Sequence, residues 1–286
     1  MNLLKPDTWP KLLLLIGSRY LVFAGIFWLI WYVVLKKKVR LSKIQQRFPK
    51  SKDYLREIGY SMFSVIIFAA YPAAMLLSPF RKYTLYYSKI HDHSLLWFWL
   101  AIPLMFFLHD TYFYWVHRLM HHPKVFRRVH LVHHQSTNPS PFAALAFHPF
   151  EAVLEAAVFG MFLMIMPLHP IHLAIFFTVQ MAYNVYGHLG WELYSTKFLQ
   201  GPIGRWINTS RAHNAHHQYF TGNYGLYFLW WDRWFGTIRE VRFPQKMNEV
   251  VEERKIEMIV GRNPDQNSNS GTKGLPSPDG FPAKAI

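Results

Sequence analysis

Five stretches of this chain are too apolar for too long to be left in water, and they constrain the fold more than any other feature. They run over residues 12–35, 59–80, 95–116, 148–166 and 171–191. A bilayer core of ~30 Å takes about 20 apolar residues to cross as a helix. The last two runs are joined by Pro167-Leu168-His169-Pro170, which is short enough only for a hairpin turn, and each proline discourages helix continuation. Charged residues make up 16% of the chain, against about 25% in ordinary soluble domains. The expected fold is therefore all-α: a multi-pass transmembrane protein of four to five spans with a helical cap on the cytoplasmic side. The chain has no Cys, which excludes disulfides, thiolate-bound zinc, iron–sulfur clusters and a cysteine nucleophile.

Basic residues orient the spans. With the N-terminus outside, Lys5, Lys11, Arg81, Lys82 and Lys89 fall on the outer side. Of the 31 Lys and Arg, 25 fall on the other side, nine of them from Lys36 to Arg56. This is the positive-inside pattern. It accounts, with anionic lipid, for the formal charge of +15 without nucleic-acid binding. The first run is not a signal peptide, because Lys36-Lys37-Lys38 follows the apolar stretch instead of preceding it. Three regions are expected: N-terminal spans and basic loop to residue 94, a catalytic region over 95–240, and a C-terminal segment over 241–286. From about Arg262 that segment is rich in Asn, Ser, Gly and Pro and reads as disordered.

Histidine is the second anomaly. Three clusters, His117-Arg-Leu-Met-His121, His130-Leu-Val-His133-His134 and His213-Asn-Ala-His216-His217, all fall on the basic side. Helical positions i and i+4 share a face and suit two imidazoles on one metal, and a ring at i+3 can swing to a neighbouring ion. Random placement would yield about 0.05 such three-histidine patterns, and the sequence has two. Eight imidazoles exceed one coordination sphere, so two metals are expected. Imidazole accepts several metals, and structural zinc is satisfied by four ligands. Zinc would leave chiefly hydrolysis, yet the clusters contain neither an evident nucleophile nor a carboxylate base. Iron that activates O2 against an unactivated lipid C–H bond is the better reading, with zinc possible as a substitute. The rival readings are a zinc-dependent membrane hydrolase and a non-enzymatic carrier of divalent metal. A carrier should place its ligands near the bilayer midplane, whereas these lie at the rim.

The set HRLMH, HLVHH and HNAHH, preceded by HDTYFYWVHR and followed by NYG and WDRWFGT, resembles the fatty acid hydroxylase and sterol desaturase superfamily of membrane di-iron oxidases. The resemblance covers about residues 95–240. It implies an O2-dependent oxidase of membrane lipid that receives electrons from a separate redox protein. Carried over by position, the implied metal ligands are His117, His121, His130, His133, His134, His213, His216 and His217. His188 matches a further ligand that relatives supply between the second and third clusters. Some fatty acid hydroxylases carry another histidine four residues earlier, where this chain has Asn184.

Around the histidines, helical periodicity puts Asp110, Tyr114, His117 and His121 on one face. Asp110 lies about 10 Å along the axis from His117, too far to share its metal. Asp110 and Tyr114 are therefore assigned to ligand support or to the substrate channel, with His109 off the stripe and structural. His148, Glu151 and Glu155 also share a face, and either carboxylate could orient a ligating histidine. His91, His93, His169 and His172 fall on the outer side, and His122 points away. Trp230, Trp231 and Trp234 read as interfacial anchors. Arg118, Arg127 and Arg128 are available to an acidic electron donor or to lipid headgroups.

Overall fold

The computed structural model describes residues 7–239, together with Lys255, Ile256 and Ile259. The tail expected to be disordered lies outside the described residues. Helix α1 (Thr8–Trp28) continues through a π-helical run, Leu29–Val34, into the short α2 (Lys36–Val39). Then come α3 (Ser51–Leu77), α4 (Leu95–Met120), α5 (Pro123–Val129), α6 (Leu131–His134), α7 (Pro149–Ile165), α8 (Pro170–Gly187), α9 (Thr196–Leu199), α10 (Ser210–Tyr219) and α11 (Trp230–Trp234).

Local chemistry sets these boundaries. Pro123, Pro149 and Pro170 each occupy a first helical turn, where the missing N–H costs nothing. The Ser94 hydroxyl caps α4 by accepting from Trp97 N–H at 3.2 Å, and Thr209 caps α10 through Ala212 N–H at 3.2 Å. The α7–α8 hairpin expected from its flanking prolines is present.

Among the described residues, three helices are long and apolar enough to cross a bilayer: Thr8–Val34, Ser51–Leu77 and Leu95–Met120. The runs expected as the fourth and fifth spans form shorter helices, α7 of 17 residues and α8 of 18. The apolar stretch at 171–191 outlasts its helix because the chain leaves α8 at His188 and turns left-handed at Gly190, φ +83°. The core between α1, α3, α4, α7 and α8 includes Leu76, Met105, Phe162, Leu163 and Phe176, each at most 2% exposed.

The two ends of this bundle differ. At one, the 85–88 segment lies along the α7–α8 turn, with Leu85 N–H donating to Leu163 O at 2.7 Å and Tyr87 N–H to Leu168 O at 3.1 Å. His169 and His172 sit here, bonded to Ser88 O and Phe98 O. At the other end the basic segment folds back over the histidine-bearing helices. Lys43 is fully buried, donates to Asn138 Oδ1 at 3.0 Å, and lies 5.3 Å from the Trp191 ring and 5.5 Å from Phe48. Glu57 accepts from Ser136 Oγ at 2.8 Å and from Ser140 Oγ. The basic loop and the histidine clusters therefore share one end.

Gly190 closes against this buried lysine: a Cβ there would lie 3.2 Å from Lys43 Nζ and 3.2 Å from Tyr32 Oη. Gly190→Ala adds that crowding to a left-handed conformation that costs an L-residue about 1–2 kcal/mol. Thermal unfolding of the purified variant is expected several degrees below wild type. An unchanged midpoint would show that the turn can relax at no cost.

Candidate metal centre

Nine buried or nearly buried imidazoles collect at the basic end of the bundle in two groups. His117, His121, His130, His134 and His216 form one, and His133, His188, His213 and His217 the other. Within each group the available ring nitrogens lie within 4.8 Å of one another. These are the nine histidines expected from the sequence, His188 included.

Helical spacing explains the division. His117 and His121 end α4 one turn apart. His130 and His134, spaced i and i+4 across α6, face them, while His133 at i+3 turns to the second group. On α10 the same spacing is used in the opposite sense. His213 and His217 join the second group with His188, and His216 at i+3 joins the first. Two copies of the HxxHH pattern thus interlock, each giving a pair to one group and a single ring to the other.

Hydrogen bonds on the far side of the rings fix where the protons sit. Nδ1 of His117 donates to Tyr224 O at 2.8 Å, that of His216 to Gly222 O at 2.8 Å, and that of His188 to Asn184 O at 2.7 Å. A carbonyl only accepts, so each neutral ring turns an Nε2 lone pair inward. His130 Nδ1 is 2.7 Å from Glu151 Oε1, which orients it likewise. Burial, and then the neighbouring imidazoles, push His130, His133, His134 and His213 well below the ordinary histidine value, which keeps them neutral.

Between His117 and His130, with Glu151 accepting behind His130, the result is lone pair facing lone pair, their Nε2 atoms 3.0 Å apart. The Nε2 atoms of His134 and His216, and those of His188 and His213, are 3.1 Å apart, with one inward lone pair fixed in each of these two contacts. His121 Nε2 is buried without a hydrogen-bond partner. The His117–His130 contact is repulsive unless a cation sits between the nitrogens. Metal–nitrogen bonds of ~2.1 Å separate neighbouring ligand atoms by about 3.0–3.4 Å, which matches the spacing here. The donor set fits two ions that accept imidazole.

The loop that receives the Nδ1 protons is itself clamped by two carboxylates. Asp232 accepts from Tyr224 N–H at 2.8 Å, Gly225 N–H at 2.9 Å and Thr237 Oγ1 at 2.8 Å. Asp110 Oδ1 accepts from the N–H groups of Leu226, Tyr227 and Phe228 at 2.8–3.3 Å. A Cβ on Gly225 would fall 2.0 Å from Phe228 O, so this turn admits only glycine. Tyr114 Oη lies 3.0 Å from Thr237 Oγ1 and accepts from Arg118. The channel alternative for Asp110 and Tyr114 needs correction: neither lines the cavity described next. Both brace the 222–237 loop, because the α4 face that carries them is covered by that loop. His109, expected to be merely structural, does line the cavity and is held by Tyr227 Oη at 2.9 Å. Of the two candidate carboxylates on α7, Glu151 is the one bonded to a histidine.

Sequence reasoning missed the carbonyl partners Tyr224, Gly222 and Asn184, together with Asp232. The NYG and WDRWFGT strings held the only signal, as an Asp and two Gly beside a metal-binding pattern. Trp231, read as an anchor, stacks on Tyr114 with ring centroids 6.1 Å apart.

A cavity of about 310 Å³ opens from the two groups into the bundle. His117, His130, His133, His188 and His213 form its head. Along α8 its wall follows Ile171, Ala174, Phe177, Met181, Asn184 and His188, a helical stripe about 25 Å long. The remaining wall is largely Leu, Ile, Val and Phe from α1, α3 and α7, with Phe113 and Met120 of α4.

Comparison with known proteins adds an independent line. The fatty acid hydroxylase family model matches residues 102–237. The chain is 31% identical to human lathosterol oxidase over 255 residues, covering 82% of this chain and 79% of that one. It is 33% identical over 187 residues to a Delta(7)-sterol 5(6)-desaturase of Gibberella zeae, covering 64% of this chain and 55% of the relative. Against mouse lathosterol oxidase the figure is 32% over 187 residues, 60% of the relative's length. The chain thus spans little more than half of two of these relatives. No solved structure matches it.

Proposed function

Because the chain belongs to the fatty acid hydroxylase and sterol desaturase superfamily, we propose that it is a membrane-bound di-iron oxidase of lipid C–H bonds, with a sterol-like substrate and desaturation as the favoured outcome. The observation that carries this reading is the head-on junction of two neutral imidazole groups with an apolar cavity long enough for a ring system and its tail. The names of the relatives favour a sterol and a new double bond. When bound, two iron ions would supply reductive activation of O2. The balance is one lipid CH–CH, O2, two electrons and two protons giving one C=C and two waters, or, for hydroxylation, one alcohol and one water. The electrons come from a separate donor protein.

The chain's own residues do the rest. His117, His121, His130, His134 and His216 would hold one ion and His133, His188, His213 and His217 the other, with neutral Nε2 atoms presented by outward Nδ1–H bonds. Glu151 fixes His130, and the Asp110–Asp232 loop fixes His117 and His216. The apolar walls exclude water and align the lipid beneath the histidines. The basic segment from Lys36 to Arg56 packs at the histidine end, which by the positive-inside rule supports a site on the cytoplasmic face. Donor docking there is available to Arg118, Arg127 and Arg128.

Protein purified from iron-replete cells should carry about two irons per chain and consume O2 only with lipid and a reduced donor. Its lipid product should be lighter by two mass units. Stoichiometric zinc with full activity on lipid and no O2 uptake would establish the hydrolase instead.

A further inference from the structure

The apolar cavity has polar breaks in its wall, and they are of two kinds. His109, Glu151 and Asn184 line it with one polar atom each engaged, by Tyr227 Oη, His130 Nδ1 and Ala144 O respectively, and Glu151 Oε2 is buried without a hydrogen-bond partner. Arg19 on α1, Glu155 on α7 and Gln180 on α8 line it too. These three have no hydrogen-bond or ion-pair partner among the described residues. A polar group that faces hydrocarbon without a partner is costly to keep, so an occupant that satisfies it is the physical reason to expect there.

Position narrows what that occupant offers. Glu155 follows Glu151 by one helical turn, about 6 Å along α7, and Glu151 touches His130 at 2.7 Å. Gln180 precedes His188 by eight residues, about 12 Å along α8. The unpaired polar groups on α7 and α8 therefore lie in the half of the cavity nearer the histidines, and the far half, toward Ile171 and Leu12, is apolar. A lipid that fills this cavity carries its polar end close to the metals and its greasy end away from them.

Charge separates the candidate headgroups. A carboxylate or phosphate beside Glu155 would meet two carboxyl side chains, Glu151 and Glu155, within one turn. A simple hydrocarbon segment would leave both Glu155 and Gln180 unpaired. A neutral hydroxyl donates to a carboxyl oxygen and accepts from a carboxamide N–H, and so suits both.

We propose that Glu155, with Gln180 on the second wall, binds the hydroxyl of a lipid alcohol and thereby sets which C–H bond lies under the histidines. This deepens the oxidase reading and rests on it. The consequence is regiochemical: the carbon oxidised lies within a few bonds of the hydroxyl. A compact ring alcohol meets that condition, and a long acyl chain oxidised far from its head does not. Both side chains are specificity-determining; neither is placed among the metal-binding residues.

The test uses the full chain, iron-loaded and reconstituted in lipid nanodiscs, with tritiated cholestanol and cholestane as probes that differ only in the hydroxyl. Wild type should bind the alcohol about tenfold more tightly than the hydrocarbon, the size of one buried hydrogen bond. Glu155→Leu should erase that preference while cholestane affinity and iron content stay unchanged. Glu155→Gln should keep part of it, Gln180→Leu should reduce it several-fold, and Arg19→Met should leave it intact. A Glu155→Leu protein that still prefers the alcohol overturns the proposal. So does an Arg19→Met protein that alone loses lipid binding, which would mark an anionic headgroup. Should wild type take up O2 with lipid yet show no preference for the hydroxyl, this inference fails while the oxidase reading stands. Absence of iron and of O2 uptake in wild type would remove the oxidase reading itself, and this inference with it.

Discussion

Replacing His213 and His217 together with alanine is expected to leave a protein that binds one iron where wild type binds two, and that oxidises lipid only at background. Replacing His121, His134 and His216 together, which leaves that group two imidazoles as well, should remove the other ion with the same loss of activity. The expectation comes from the way α10 deals its rings: His213 and His217 converge with His133 and His188, and His216 crosses to His117, His121, His130 and His134. A group of four reduced to two imidazoles has too few donors to hold a divalent ion against water. The untouched group of five keeps all its partners, including the Tyr224 and Gly222 carbonyls that orient His117 and His216. Metal analysis by mass spectrometry after gel filtration reads the stoichiometry, and iron K-edge absorption reads the surviving site. Removal of both ions by either set of substitutions would mean that the imidazoles form one interdependent site, and the division into two groups would be wrong.

The grouping of the histidines was legible in the sequence because helical geometry is local. Two rings at i and i+4 must share a face whatever the rest of the chain does, and a third at i+3 must point aside, so HLVHH and HNAHH announced two groups before any fold was known. The long apolar helices were legible for the same reason. What could not be read was who stands behind the rings. Asp110 finds its partners 116 to 118 residues away, at the N–H groups of Leu226, Tyr227 and Phe228, and backbone donors leave no mark in side-chain chemistry. Periodicity correctly put Asp110 and Tyr114 on the face of His117, but it could not say that a loop, and not the lipid, covers their part of it. The end of α8 was misjudged by four residues because Leu189 and Trp191 are apolar for a different reason, packing beside Tyr32 and Tyr186 outside the helix. His109 was undervalued since its bond to Tyr227 joins segments 118 residues apart.

Glu151→Gln is expected to cost about 10–100-fold in iron affinity and in activity, the usual range for a group that orients a ligating histidine. Glu151 is 1% exposed and its Oε1 lies 2.7 Å from His130 Nδ1. Ionised beside a bound cation, a carboxylate there can only accept, so the proton of the neutral ring is held on Nδ1 and Nε2 is free to coordinate. A carboxamide can instead present N–H to Nδ1. The imidazole then carries its proton on Nε2, 3.0 Å from His117 Nε2, where it blocks coordination and breaks the first group of five. Glu151→Ala removes the acceptor altogether and leaves His130 free to rotate, so its loss should be at least as large. Because the damage is confined to one group, the second ion should stay, and added iron should recover activity in Glu151→Gln before it does so in Glu151→Ala. Glu155→Gln is the matched control: the same chemical change one turn further along α7, with no histidine in contact, should leave iron content at the wild-type level. If Glu151→Gln binds two irons with undiminished affinity, His130 takes its orientation from packing alone, and the carboxylate has no part in preparing the site.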